Sequence, residues 1–364
     1  MKEYITNKQF AFILFGAIVG YGAIALPKNV AQKGESGGWV SIILASFIAC
    51  AITYMNVYLS YIHQNQTICE YSRILTGKII TNIFIIIYII YFFIFSTMLT
   101  RSASEVIKLS ILIKTPVWAL CLMFFLVVYY AVFKGFKCIV RTCEIYGIIT
   151  IAAAIIIHFS IMTQGKIVNI RPIFEVSEIP LYIKSVISLI TPFLGMEVLL
   201  CIPVNRTYNK GIFKYIILMM LFIGVLYVLI VESCISVIGI DDIIHYEDAL
   251  VATIKRVRIP YLEFLERIDG IFIISWVMSV FCTIVLYAYG TVFFIEKCFT
   301  KVNHKFVIII VMSLSFIVSQ IPKTFEGVQK IIKYSGYYFG LIAAVLIPAI
   351  LLIITKVKKY DKKI

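Results

Sequence analysis

Charge is scarce in this 364-residue chain: Asp, Glu, Lys and Arg together make up 14% of it. A soluble domain carries about a quarter. Apolar residues reach 62%, and the polar remainder is too small to coat them in water. That excludes a soluble enzyme, a disordered tail and a disulfide-rich secreted scaffold. Ordered cysteine chemistry is also missing. The nine cysteines are scattered, with no CxxC and no Cys/His spacing suited to zinc, and they read as small buried hydrophobes. There is no Gly-rich phosphate loop, no Ser/His/Asp arrangement and no metal motif. We therefore expect no catalytic residues, no metal and no cofactor. Acidic residues are few, 19 against 33 Lys and Arg, for a net charge of +14. The basic residues lie between apolar runs, and no basic stripe interleaves with exposed aromatics. The surplus reads as topology-setting charge, and no nucleic-acid partner is expected. No low-complexity tract or long linker interrupts the chain, so residues 1–364 are expected to form a single polytopic membrane domain. The first apolar run is long and lacks an A-x-A-like site, which speaks against a cleavable signal peptide.

What the chain has instead is a series of long apolar runs, and the solvent that suits them is the lipid bilayer. A spanning helix needs about 20 such residues. Ten spans are expected, roughly at 9–32, 38–62, 79–106, 115–133, 143–163, 183–203, 214–238, 268–296, 305–321 and 335–355. The ninth is the shortest. Membrane strands would alternate polar and apolar residues, and runs such as Ile83–Phe95 do not, so helices are expected. The fold class is thus all-α integral membrane. The one long connection, 239–267, carries Asp241, Asp242, Glu247 and Asp248 and then Lys255, Arg256 and Arg258. Residues 246–258 either form an amphipathic surface helix or belong to a solvated loop. With the N-terminus inside, 18 of the 33 Lys and Arg fall on inner segments but only five of the 19 acids. Both termini are expected in the cytoplasm.

Two spans carry helix-weakening residues. The first reads Phe15-Gly16-Ala17-Ile18-Val19-Gly20-Tyr21-Gly22, and glycine weakens a helix. Such glycines either open the helix or let a neighbour approach closely, since Gly16 and Gly20 form GxxxG. The sixth reads Thr191-Pro192-Phe193-Leu194-Gly195-Met196-Glu197. Pro192 removes a backbone donor, and Glu197 places a carboxylate near mid-membrane, where it is costly unless paired. Interruptions in the first and sixth of ten spans imply two five-helix halves, about 9–163 and 183–355. Matching breaks in the two halves point to a transporter-like midplane site. There, exposed N–H groups and half-helix dipoles can hold a ligand carboxylate.

Other polar residues have two readings each. Arg101 and Glu105 form an interfacial i,i+4 pair or a gate. Thr97 is a candidate lining residue. Ser279, Thr283 and Tyr287 share a helix face, where their hydroxyls bind substrate or bond helix to helix. Glu232 snorkels, pairs locally or functions. His158 reads as a satisfied structural histidine.

The segment Gly20-Tyr21-Gly22-Ala23-Ile24-Ala25-Leu26-Pro27 resembles the first-helix G-x-G-I-x-x-L-P pattern of the amino acid–polyamine–organocation superfamily, with Ala23-Ile24 in place of the Ile directly after the second glycine. Phe193-x-Gly195-x-Glu197 is similar to its sixth-helix F-x-G-x-E. Phe264-Leu265-Glu266-Arg267-Ile268-Asp269, upstream of Trp276, resembles the segment entering the eighth helix of the spore-germination permeases, the B subunits of germinant receptors. Ile5-Thr6, Gln9 and Gly16, and Gly38-Trp39, fit the same family. The resemblance implies a ten-helix 5+5 inverted repeat with broken first and sixth helices. It implies a pocket for a small nutrient such as an amino acid, and assembly with an A subunit and a lipoprotein C subunit in the spore inner membrane.

On this reading the ligand carboxylate meets N–H groups around Ile18, Gly20, Tyr21 and Gly22 and around Thr191 and Gly195. Thr97, Thr283 and Tyr287 select its body. Gly16, Pro192 and Glu197 shape the breaks, with Glu197 supporting the sixth helix or relaying a proton. The alternatives are a stand-alone proton- or sodium-coupled amino acid transporter and a scaffold with a vestigial pocket. The fifth span lacks the lysine that some proton-coupled relatives use.

Overall fold

A computed structural model describes residues 4–34, 37–246, 248–256, 268–299 and 302–360. Among these residues there is no strand. The helices are α1 (Asn7–Gly34), α2 (Gly38–Ile62), α3 (Ile68–Ser110), α4 (Val117–Lys134), α5 (Phe136–Met162), α6 (Ile179–Leu189), α7 (Ile212–Ile238), α8 (Ile240–Ile243), α9 (Ala249–Arg256), α10 (Ile268–Cys298), α11 (His304–Ser319), α12 (Phe325–Tyr334) and α13 (Ile347–Val357). Among the described residues, eight stretches are long and apolar enough to cross a bilayer as continuous helices. The segments Val176–Leu189 and Thr191–Cys201, bent by 41°, make a ninth. The sixteen-residue apolar α11 stands where the short ninth run of the sequence lies. The expected ten-span, all-α membrane architecture is therefore present.

Helix boundaries follow local chemistry. Glu70 accepts a hydrogen bond from the backbone N–H of Thr67 at 2.9 Å and so caps the start of α3. Asn303 and Thr324 cap α11 and α12 with their side chains. Two spans exceed expectation. Helix α3 begins at Ile68 and kinks at Gly77 before entering the apolar run. The last span begins at Phe325, ten residues early, because α12 is amphipathic and its charged face hides it from a hydropathy scan. It then runs through two π-helical stretches, Ser335–Gly340 and Ile342–Leu346, into α13. Lipid-facing isoleucines of α3 recur at Ile79, Ile83, Ile86 and Ile90, all exposed.

Helix α1 is buried almost all round from Phe10 to Gly34 and is the axis of the bundle. It packs against α7, α10 and α5. The segment expected as an amphipathic surface element is α9, shorter than 246–258. Its Leu250, Val251 and Ile254 are buried, and it packs on α1 and α7. Glu247, Arg258 and the Phe264–Arg267 motif lie outside the described residues.

One expectation is corrected. Helix α1 runs unbroken through Gly20-Tyr21-Gly22. The glycines serve approach, not unwinding. A Cβ at Gly20 would lie 2.7 Å from the Ser279 carbonyl and 2.8 Å from Val280 Cα, and one at Gly22 would lie 2.0 Å from the Tyr227 hydroxyl. Lacking a side chain there, α1 lies backbone-close to α10 at Gly20 and makes room at Gly22 for the Tyr227 ring end and the Pro192 carbonyl. Gly16 plays the same part against Cys282 of α10 and Cys143 of α5.

This packing makes a prediction. Gly20→Ala should cost about 1–3 kcal/mol, because the methyl meets backbone that cannot move aside. Gly270→Ala, which meets nothing within 4 Å, should instead stabilise α10 by up to about 1 kcal/mol. Thermal unfolding in detergent checks both. A Gly20 variant as stable as the parent would contradict the close packing.

Candidate functional site

Pro192 and Gly195 stop the sixth span from continuing as one helix. Helix α6 ends at Leu189, and the chain then makes two short 3₁₀ turns, Thr191–Phe193 and Met196–Cys201. Leu194 between them is extended. Gly195 has φ +134°, a conformation that side chains disfavour. It also lies against α1, where a Cβ would come within 2.9 Å of Ala17 backbone atoms and of Ile18. Both constraints require glycine.

Backbone polar groups freed inside a membrane need partners, and Glu197 supplies one for Gly195. Its Oε2 accepts from the Gly195 N–H at 2.9 Å. Its Oε1 accepts from the Tyr287 hydroxyl at 2.7 Å and the Tyr91 hydroxyl at 3.0 Å. Glu197, Tyr91 and Tyr287 are fully buried. One carboxylate thus ties the break to α3 and α10, and its donors suit an acceptor-only group. The Tyr227 hydroxyl of α7 sits between the Pro192 carbonyl at 3.1 Å and the Ile18 carbonyl at 3.3 Å. Two further donors reach carbonyls of α1: Thr283 to Gly16 at 2.6 Å and the Trp276 indole to Gly20 at 3.2 Å.

Of the N–H groups expected at the break, that of Gly195 is not free, and its neighbours are spent as well. Phe193 and Leu194 donate within their own turn, to Ile190 and Thr191 at 3.0 and 3.1 Å, and Gly195 donates to Glu197. Pro192 has no N–H. In α1 the helix keeps its own ladder. The 3₁₀ turns satisfy locally what an open break would have offered to a ligand.

What the break does offer is a crevice of about 230 Å³ between α1, the broken span and α12. Drug-sized ligands occupy about 300–1,000 Å³, so this space suits a smaller solute. Tyr21, Gly22, Thr191 and Pro192 line it together with Lys28, Lys33, Lys330 and Lys333. Tyr21 and Thr191 are half-buried. Of the other expected ligand residues, Ile18 and Gly195 meet beneath the crevice, and Gly20 faces α10. Thr283 and Tyr287 are buried and bond helix to helix. Thr97 is buried without a hydrogen-bond partner among the described residues and does not line the crevice. A larger cleft of about 820 Å³ opens between the end of α1, residues 168–182 and α8, but no residue of the break lines it.

Around the site, Arg101 pairs with Glu105 at 2.6 Å and also reaches Gln320 at 3.1 Å, joining α3 to the end of α11. His158 Nδ1 lies 2.8 Å from the Ser233 hydroxyl. Glu232 buries one carboxylate oxygen that has no partner among the described residues. Sequence reasoning missed Tyr227 and the α12 lysines. A tyrosine in the middle of an apolar span was a signal for the first.

Residues 4–328 match the family model described as "Spore germination protein". The chain is 27% identical over 350 residues to Spore germination protein A2 of Bacillus subtilis (strain 168), covering 95% of this chain and 94% of that one. It is 24% identical over 362 residues to Spore germination protein GerLB of Bacillus cereus, covering 98% and 96%. Among solved structures it is similar to MhsT in complex with L-phenylalanine. The TM-score is 0.65 at 13% identity, over 94% of this chain and 88% of that one. It is also similar to MHP1, a nucleobase-cation-symport-1 family transporter, with TM-score 0.64 at 11% identity over 91% and 75%. The shared fold is that of multi-pass membrane transporters.

The role of Glu197 predicts a graded series. Glu197→Gln keeps one acceptor for Gly195 and can donate to the tyrosines, so the loss should be small, below about 1.5 kcal/mol. Glu197→Leu strands the Gly195 N–H and one tyrosine hydroxyl proton, since Tyr91 and Tyr287 lie 3.2 Å apart and can bond each other, at about 1–3 kcal/mol for each group left unpaired. Thermal midpoints of the purified variants should fall in the order parent, Gln, Leu. Equal midpoints for Gln and Leu would contradict the assignment.

Proposed function

The chain belongs to the spore germination protein family, and on that footing we propose that it is the membrane subunit of a germinant receptor. A small nutrient of amino-acid size enters the crevice from the outer side of the spore inner membrane. Both termini face the cytoplasm. The observation that carries this reading is the crevice itself: a space of about 230 Å³ whose floor is the interrupted sixth span and whose wall is α1. Tyr21 and Thr191 stand at its base and contact the solute's polar groups. Ile18 and Gly195 touch directly below, so a solute settling deeper must part α1 from the break.

That movement is the signal. A ligand shifts an equilibrium only by binding its two states differently. The solute stabilises the arrangement in which α1 and the break separate, and an A subunit and a lipoprotein C subunit read the change. Coupling of this kind is reciprocal, so the partners also tune nutrient affinity. Glu197 holds the break together throughout, and it serves as the proton carrier if the response is pH-dependent.

A second reading, a stand-alone amino acid transporter coupled to protons or sodium, draws on the transporter fold. Uptake by the isolated chain in liposomes would favour it. Dependence of the response on co-expressed A and C subunits favours the receptor.

The test is made in spores carrying the full receptor. Thr191→Trp fills the crevice from its floor and leaves Gly195 and Glu197 in place. It should abolish the nutrient response at normal protein levels. Gly195→Leu should do the same by colliding with α1. A normal response in well-expressed Thr191→Trp spores would overturn the site. An unchanged pH dependence in Glu197→Gln spores would remove the proton role alone.

A further inference from the structure

Two elements that are distant in sequence bring lysines to one crevice. Lys28 and Lys33 come from α1, and Lys330 and Lys333 come from α12. The only carboxylate lining it among the described residues is Glu326, and its partner is Lys330 at 2.8 Å. Lys330 is paired with that glutamate, and Lys33 and Lys333 bring two further positive charges to the crevice. Lys33 and Lys333 line the same crevice, and no ion pair joins either to a carboxylate among the described residues. Like charges held together cost energy unless an anion joins them. Their placement also runs against the tendency of Lys and Arg to collect on the inner side of a membrane protein. Asn29, Gln32 and Gln329 add amide groups to the same walls.

The chemistry below the lysines points the same way. Neutral and acidic amino acids both bring an ammonium, for which the hydroxyl and amide oxygens of Tyr21, Thr191, Asn29, Gln32 and Gln329 line the crevice; the acid alone adds a second carboxylate for the lysines. Glu326 is engaged by Lys330. Glu197 is sealed below, its oxygens taken by Gly195, Tyr91 and Tyr287. Phe193, Leu194 and Gly195 spend their N–H groups within the break, and the lysines and amides nearer the mouth are placed to hold a second carboxylate. A cleft lined by one sign of charge with low-dielectric walls also concentrates solutes of the opposite sign.

We propose that the crevice selects small organic anions of net negative charge, acidic amino acids being the type, with Lys33 and Lys333 as the specificity-determining residues. This rests on the crevice being the nutrient site. The anionic side chain sits between Lys33 and Lys333 at the mouth. The smaller polar groups of the solute reach Tyr21 and Thr191 beneath.

The test pairs isosteres that differ in charge: L-glutamate against L-glutamine, and L-aspartate against L-asparagine. Each is assayed on spores carrying the complete receptor and on the purified chain in nanodiscs of neutral lipid. The acids should act at concentrations about tenfold lower than their amides, the effect of about 1.4 kcal/mol of added charge attraction. Their advantage should shrink as salt is raised, because the mouth of the crevice is exposed. Lys33→Gln with Lys333→Gln should weaken the acids more than the amides and so remove the tenfold advantage. Equal potency of acids and amides, or an unchanged preference in the double variant, would overturn the proposal. If the double variant is indifferent while Thr191→Trp still silences the response, only the charge selection falls. If Thr191→Trp responds normally, the site itself falls. Loss of glutamate binding on adding phosphatidylglycerol to the nanodiscs would assign the lysines to lipid headgroups, and that too would overturn it.

Discussion

A single carboxylate holds this membrane bundle in its interrupted form. Pro192 and Gly195 make a continuous sixth helix unfavourable, and lipid offers no water to the groups thus freed. Glu197 accepts from the Gly195 N–H on one oxygen and from Tyr287 and Tyr91 on the other. The Gly195 N–H of the break would otherwise be unpaired, at a cost of about 1–3 kcal/mol. Because those hydroxyls belong to α10 and α3, the bond that repairs the sixth span also fixes its position between two other spans. The crevice, its floor and its distance from α1 all follow from that placement.

Helix α1 is the complementary half of the arrangement. It is unbroken, yet three of its carbonyls receive donors from neighbouring helices: Gly16 from Thr283, Ile18 from Tyr227 and Gly20 from Trp276. Its glycines bring these neighbours close. The Tyr227 hydroxyl has one proton and two carbonyls within reach, one on α1 and one at Pro192. Any motion that separates α1 from the break must therefore choose between them. A receptor that reports occupancy needs two arrangements of similar energy, and a shared hydroxyl gives such a choice at small cost.

How much of this could be read from the chain varied with how local each cause is. The spans were legible because apolar length decides them. The break at Pro192 and Gly195 was legible because both residues act on their own backbone, and the importance of Glu197 followed from a carboxylate in lipid. The glycines of α1 were ambiguous for a physical reason: Gly20 and Gly22 permit unwinding and close contact equally, and only Ser279, Val280 and Tyr227 across the gap decide between them. Thr283 posed the same problem, since a hydroxyl on a helix face bonds whatever lies opposite. The lysines of α12 were hidden twice. Charge lowers the hydropathy of 325–334 below that of a span, and their convergence with Lys33 depends on two segments about 300 residues apart meeting in space.

The account stands or falls on whether a nutrient occupies the space above the broken span. The direct measurement is the rate at which a membrane-impermeant maleimide labels a Thr191→Cys variant of the assembled receptor, against the parent chain, with and without nutrient. We predict labelling from the outer side that slows as nutrient is added, with the half-effect at the concentration that triggers germination. Labelling that is absent, or indifferent to a nutrient that still triggers the spore, would contradict it.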